Sequence, residues 1–480
     1  MRELRLLVFA AVTAAACSRS VAAPQNPASA LPDAYDDYYG VYLSGHKVGW
    51  MRSQLQVGAT IEASVELNAK VGGMGQISDV SLMEQRSYDP KLGRLSHFSF
   101  VQKASTGEVR VSGEARGDKL HIRIVAAQTT SESDVPNEER VEDLLTTTRL
   151  ARQATVGQSE KSVHFDPSLQ RVLHIEDTVR AVETRMFDGI ETKVVKIDEN
   201  YPELGVVETS WLNVTGKVLE TRVGGFFVAR LEQPETAKRL DYEHDILVSA
   251  VVGLPEPLTH QEKLTHLNLV MTGFGEQVPP SSDRQKVRVQ DDGVHLDLSR
   301  DVLPPVTHFA ISTAPSHDPD LAATPFVQSD APEIRAAARE AVGDATDAFT
   351  ASSRLEHFVY KHIRNEYVPA YSNSLEALRT ARGDCTEHSV LYVGLARAVG
   401  LPSRMAVGIA YWAPAGGFGW HAWDEVKIAG KWVAVDPTWD QPIADATHIK
   451  LAAGDPAEQA RIVMLLGQLE VASEQHTWAP

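Results

Sequence analysis

Between Tyr35 and about residue 250, hydrophobic and polar positions alternate one by one, the period of strands buried on one face. The stretch "HFSFVQKASTGEVRVSGEARGDKLHIRIVAA" carries the pattern, and "STGE" and "ARGDK" interrupt it as hairpin turns. One helical segment intervenes, "NEERVEDLLTTTRLARQ", with Val141, Leu144 and Leu145 on a face that Thr148 continues and from which Leu150 falls away. These features predict an antiparallel β-rich domain over residues 35–250 with a helix against it. The aromatics from Tyr35 to Tyr42 suit core packing of strand side chains, with a ligand-binding face as the alternative.

Residues 251–325 read as a bridging β segment, including a hairpin in "QKVRVQDDGVHLDLSR" closed at Asp292-Gly293. From "APEIRAAAREAV" onward the period becomes helical, and Leu355, Phe358, Val359 and Ile363 fall near one stripe of "TDAFTASSRLEHFVYKHIRNEY". Ser374 is placed to cap a short helix through Leu378. A second domain, residues 326–480, is expected there, and the fold class is α+β.

Charge narrows the partners. A formal net charge of −18 and no long basic run argue against nucleic acid or an anionic membrane face. The amino terminus has Arg2 and Arg5 before an apolar run from Leu6 to Ala16, the pattern of an export signal over residues 1–23. Cys17 after "TAAA" loosely resembles the bacterial lipoprotein cleavage box, which leaves two routes: lipid anchoring at Cys17, or cleavage near Ala23. Either route removes Cys17 from disulfide formation, and residues 24–34 follow as a Pro/Ala/Ser tether. The expected location is therefore the periplasm. There Cys385, the other of two cysteines, is left as a lone thiol, either a small core hydrophobe or a functional group.

Its neighbours favour function. Asp384 and Glu387 form a capping box for a helix through "CTEHSVLYVGLARAVG", so Cys385 lies in the first turn, where free backbone N–H groups and the helix dipole favour a thiolate. Downstream, "WHAWDEVKIAGKWVAVDPTWD" reads as two strands joined at Ala429-Gly430. A two-residue turn sets Ile428 opposite Lys431, Trp423 opposite Asp436 and His421 opposite Thr438, which brings His421 and Asp436 within side-chain reach on one face. A cysteine at a helix start, a histidine on a strand and an aspartate on the next supply nucleophile, base and orienting group.

Three blocks, "GDCTEHSVLYVGLARAVGLPSRMAVGIAY", "WHAWDEV" and "KWVAVDPTW", resemble the motif blocks of the transglutaminase-like superfamily over about residues 326–450. The resemblance implies a papain-like α+β core with Cys385 as nucleophile, His421 as base and Asp436 as its orienter. It also implies acyl transfer on an amide or peptide carbonyl, by a cysteine protease or amidase of the cell envelope acting on a peptide or protein. An amine-transferring cross-linker and a non-catalytic binding or assembly module are the alternatives. No cofactor or metal is called for. His388, one turn after Cys385, suits a hydrogen-bonded core histidine; a metal set of Cys385, His388, His421 and Asp436 lacks the usual paired ligand spacing. Neither Asn373 nor Tyr371 is singled out as an oxyanion donor, and "WAPAGGFG" suits a cleft rim or a surface loop.

Overall fold

The computed structural model describes residues 33–478 except 74–75, 105–106, 127–128, 241–250, 255, 276, 304–317, 367–372, 455–461 and 463. The proposed signal, Cys17 and Tyr371 lie outside the described residues. The fold is α+β and dominated by antiparallel sheet, in two compact units divided near residue 246.

The first unit is one 14-stranded antiparallel sheet. Eight strands meander from Tyr35 to Pro136 and six from Ser159 to Glu232; the first strand then pairs with the last, Val41 opposite Ala229. Alternation places Leu55, Leu67, Phe98, Ile122, Ile175 and Ile197 on buried positions. Tyr39 joins that core, whereas Tyr38 lies beneath the Arg52 and Lys238 side chains. The helical segment differs from expectation. A 3-10 turn, Val141–Asp143, precedes the helix Thr146–Gln153, and the break resets the phase so that Leu150 is fully buried against Val179, Val195 and Leu212.

Acidic groups also occupy buried positions in this unit. Register sets Asp177 opposite Glu199 and Glu199 opposite Glu208 on three adjacent strands, and none of the three is exposed. Burial raises all three carboxyls above their ordinary range, reinforced at Asp177 by Glu199 and at Glu208 by Glu199 and Asp177. A carboxyl whose pKa is raised on folding holds its proton in the folded state. Its stabilising effect is complete below the unfolded value near 4 and is lost as pH rises through the folded one. The melting transition of this unit in the full chain should therefore fall between about pH 5 and pH 9. Glu208→Gln should flatten that slope; a slope unchanged by the substitution in pH-resolved calorimetry would contradict it.

In the second unit the stretch expected as a bridge is instead an integral part. Strands Gln285–Gln290, Gly293–Ser299 and Leu264–Thr272 form a sheet with the strand Glu470–Trp478, Leu267 lying opposite His476. The hairpin turn falls at Asp291-Asp292, one residue earlier than expected, because Gly293 already pairs with Gln290. Gly293 has φ 140 and a Cβ there would meet the Met271 carbonyl at 2.7 Å, so the residue is set by the strand beside it.

The other sheet of this unit has the order Val252–Gly253, Gly417–Ile428, Ser403–Trp412, Ile449–Ala453, with Lys431–Val435 also on Gly417–Ile428. Helices Pro332–Val342, Ala348–His362, Ser374–Thr380 and Cys385–Ala398 share a core with it, in which Ile334, Leu355, Val359, Leu391, Val426 and Val435 are buried. Leu355 and Val359 thus occupy the predicted stripe. The short helix is capped by Asn373, whose Oδ1 accepts from Glu376 N at 3.0 Å, rather than by Ser374. Ser374 donates instead to the Val390 carbonyl at 2.7 Å, tying this helix to the one that begins at Cys385.

Candidate active site

Asp384 caps the helix Cys385–Ala398. Its side chain accepts from Thr386 N at 2.9 Å while Glu387 Oε2 accepts from Asp384 N at 3.0 Å, closing the capping box read from the sequence. The helix stops at Gly400, where φ is 87. Cys385 is therefore the first helical residue, half-buried, beside Val407, Ala422 and Ile462.

His421 comes from the strand Gly417–Ile428, held between Ser403–Trp412 and Lys431–Val435. The hairpin is closed by Ala429 and Gly430 at φ 50 and 81, and Ile428 lies opposite Lys431 as the two-residue turn requires. Pairing ends at Asp424 and Val435, before the three further pairs, Trp423–Asp436 to His421–Thr438, that the turn predicts. Asp436 then turns the chain, exchanging both backbone hydrogen bonds with Gln441, and Thr438 donates its N–H to Asp436 Oδ1 at 2.8 Å rather than facing His421 across a ladder. The outcome for the side chains is the expected one: His421 Nε2 and Asp436 Oδ2 are 2.8 Å apart, both buried. Cys385 lies near enough to the ring to help raise its pKa. Because Asp436 occupies Nε2, Nδ1 is the nitrogen left for the sulfur.

Burial works against a charged ring, yet the Asp436 carboxylate and the contact with Cys385 outweigh it and raise His421 to about 9. Burial likewise works to raise Asp436, but the two rings beside it hold the carboxyl far below its usual range. His388 is buried with Nδ1 2.7 Å from the Asp384 carbonyl, and burial lowers its pKa, which is the core role expected of it. "WAPAGGFG" is a tight connection: a 3-10 turn over Ala413–Ala415 before the strand resumes at Gly417, opposite Trp412.

Three neighbours escaped the sequence reading. Trp439 stacks on His421 with ring centroids 4.2 Å apart and planes within 8°. Glu356 is buried near Asp440 and Asp436, and burial pushes its carboxyl up to about 9. His448, from "DATHIK", places Nε2 3.1 Å from Asp436 Oδ2. None had a signal in its spacing, since each arrives from a different turn or helix. His421, Asp436 and His448 offer ligand atoms within 4.8 Å of one another, the one such trio among the described residues. Each is already hydrogen-bonded within the trio, so a cation would have to replace those bonds.

Among curated proteins no match is found. A solved structure from Cytophaga hutchinsonii, provisionally described as a cysteine protease, is 16% identical with a TM-score of 0.32, covering 45% of this chain and 88% of that one. A beta-barrel-like protein of a domain of unknown function from Brucella abortus is 15% identical with a TM-score of 0.33, covering 42% of this chain and 96% of that one. The family model of the Transglutaminase-like superfamily matches residues 335–437, a span that contains Cys385, His421 and Asp436. Over those residues this chain is similar to the Transglutaminase-like superfamily.

Proposed function

We propose that this protein is a thiol-dependent acyl-transfer enzyme with a papain-like site, in which Cys385 is the nucleophile, His421 the acid–base group and Asp436 the residue that orients it. The observation that carries this reading is the His421–Asp436 hydrogen bond at 2.8 Å, with Cys385 at the start of its helix near enough to raise the His421 pKa. In the reaction, Sγ bonds to the carbonyl carbon of an amide, the C–N bond breaks, and the leaving amine takes a proton from His421. Water then attacks the thioester, His421 accepts its proton, and the acid departs. Hydrolysis is taken as the default over amine transfer because diverting a thioester to an amine requires excluding bulk water. The export signal read at the amino terminus assigns the enzyme to the cell envelope, with a peptide or protein as substrate and lipid anchoring at Cys17 as one mode of attachment.

The test needs no substrate. Iodoacetamide should alkylate Cys385 near pH 6 about tenfold or more faster in the unsubstituted protein than in His421→Ala. Ordinary thiol behaviour in the unsubstituted protein would refute the reading.

A further inference from the structure

We propose that His448 is a positioning residue of this thiol site: anchored from behind by Asp445, its Nε2–H holds Asp436 Oδ2 and so fixes the His421 ring against Cys385. The inference rests on the reading of Cys385, His421 and Asp436 given above. It adds two residues to that reading.

Asp436 Oδ2 receives two rings, His421 Nε2 at 2.8 Å and His448 Nε2 at 3.1 Å. An oxygen that accepts twice from imidazoles requires both Nε2 atoms to carry protons. For His421 this selects the arrangement that leaves Nδ1 toward the sulfur. For His448 the other nitrogen is engaged as well: Nδ1 lies 3.1 Å from Asp445 Oδ1. Neither His448 nor Asp445 is exposed to solvent in any useful degree, so each of these bonds works without competition from water.

Asp445 is itself held at every side. Oδ1 accepts from Thr447 N at 2.8 Å and from the Thr447 hydroxyl at 2.5 Å, and Oδ2 accepts from Gln441 Nε2 at 3.0 Å. Gln441 is the residue whose backbone pairs with Asp436, so the anchor and the carboxylate it serves are tied through one turn. Arg284 bonds the Asp445 carbonyl and bridges to Asp301 Oδ2 at 3.0 Å; the same oxygen accepts from Ala434 N at 2.9 Å. The path from strand Lys431–Val435 through Asp301, Arg284 and Asp445 to His448 is therefore continuous.

Without His448, the Asp436 carboxylate keeps only Thr438 N on Oδ1 and His421 on Oδ2, and can turn about its terminal torsion. A rotation there moves the partner of His421 and with it the ring. The charged groups facing His448 are Asp436 and Asp445, with the His421 ring at 5.8 Å between centroids and the Trp423 and Trp439 rings edge-on. Two carboxylates outweigh burial and raise its pKa to about 9, consistent with a ring that donates from both nitrogens through neutral pH.

The experiment compares iodoacetamide alkylation of Cys385 across pH 4 to 10 in the full chain and in His448→Leu, His448→Gln and His421→Ala, each rate referred to folded protein by circular dichroism. His448→Leu should lose about tenfold in rate near pH 6 and approach His421→Ala. His448→Gln, whose amide can donate at the Nε2 position, should regain most of the rate. A merely structural role would lower the melting temperature of His448→Leu and leave the rate per folded molecule unchanged, and that result overturns the proposal. Should His448→Leu fail to fold, Asp445→Asn takes its place. It keeps the shape, removes the anchoring charge and should slow alkylation several-fold, whereas an unchanged profile overturns the proposal. An activated thiol in the unsubstituted protein with no effect of His448 defeats this inference alone. An ordinary thiol there defeats the underlying reading with it.

Discussion

Replacing Asp436 with asparagine should lower Cys385 reactivity and any acyl-transfer turnover by about 10²–10⁴-fold, the range of a lost acid–base contribution. The amide has one acceptor and one donor end. If its oxygen faces His421 and His448, its NH₂ confronts the Thr438 N–H; if it is turned, NH₂ confronts two ring N–H groups. Either orientation sets donor against donor in a place with no solvent exposure. Removing the charge also leaves two buried rings with one carboxylate fewer, and breaking a buried pair in this way costs about 3–5 kcal/mol. The pH dependence gives an independent check. His421 and His448 are raised to about 9, so the stability they bring is complete below the unfolded value near 6.5 and is lost as pH rises through 9. Asp436 and Asp445 are depressed, so their contribution is present above an unfolded value near 4 and is lost on acidification. This unit should therefore be most stable between about pH 4 and pH 6.5. In Asp436→Asn the alkaline decline should shrink and the midpoint temperature should fall; wild-type thiol reactivity in that variant, measured by alkylation, would contradict the account.

Why the helix-start position of Cys385 and the proximity of His421 and Asp436 could be read from the sequence, while their surroundings could not, has a physical reason. A capping box is a rule about residues three apart, and a two-residue turn fixes the pairs nearest it, so local constraints set Cys385 at its helix start and brought the ends of the two strands that carry His421 and Asp436 side by side. The register holds from Ile428–Lys431 to Asp424–Val435 and fails beyond, where Asp436 leaves the ladder to pair with Gln441 and Thr438 no longer faces His421. His448 and Trp439 obey no local rule. Each enters the site from a turn whose position depends on the whole sheet, and the strand after His448 lies beyond the hairpin, against Ser403–Trp412. The long-range pairing of Leu264–Thr272 with Glu470–Trp478 was hidden for the same reason, since the partners are far apart in sequence. The fold class followed from the alternation of residues 35–250, because period two reports a one-sided burial whichever strands end up adjacent. What alternation does not report is charge on the buried face, and the row Asp177, Glu199, Glu208 occupies positions the pattern assigns to hydrophobic residues.

A single methyl group beside the site should also have a large effect. Gly408 lies directly opposite His421 in the sheet, and on its other side the strand Ile449–Ala453 pairs with an irregularity between Val407 and Gly408. A Cβ at Gly408 would come within 1.9 Å of the Ile449 carbonyl oxygen, a backbone atom that cannot swing aside as a side-chain tip can. Accommodating it means separating the two strands there. That separation removes ladder hydrogen bonds and moves Ile449, the residue after His448, away from the strand that carries His421. Gly408→Ala should consequently destabilise the second unit by about 1–3 kcal/mol or more, the cost of overpacking a filled interior. It should also slow Cys385 alkylation near pH 6, although it touches none of the groups that react. Gly430→Ala serves as the comparison, with no atom within 4 Å of the added carbon. Its φ of 81 predicts a loss from backbone strain only, at the turn, with alkylation unchanged. If Gly408→Ala melts and alkylates like the unsubstituted protein, the strands are not held as closely as their register implies, and the coupling of sheet geometry to the His421 position fails with it.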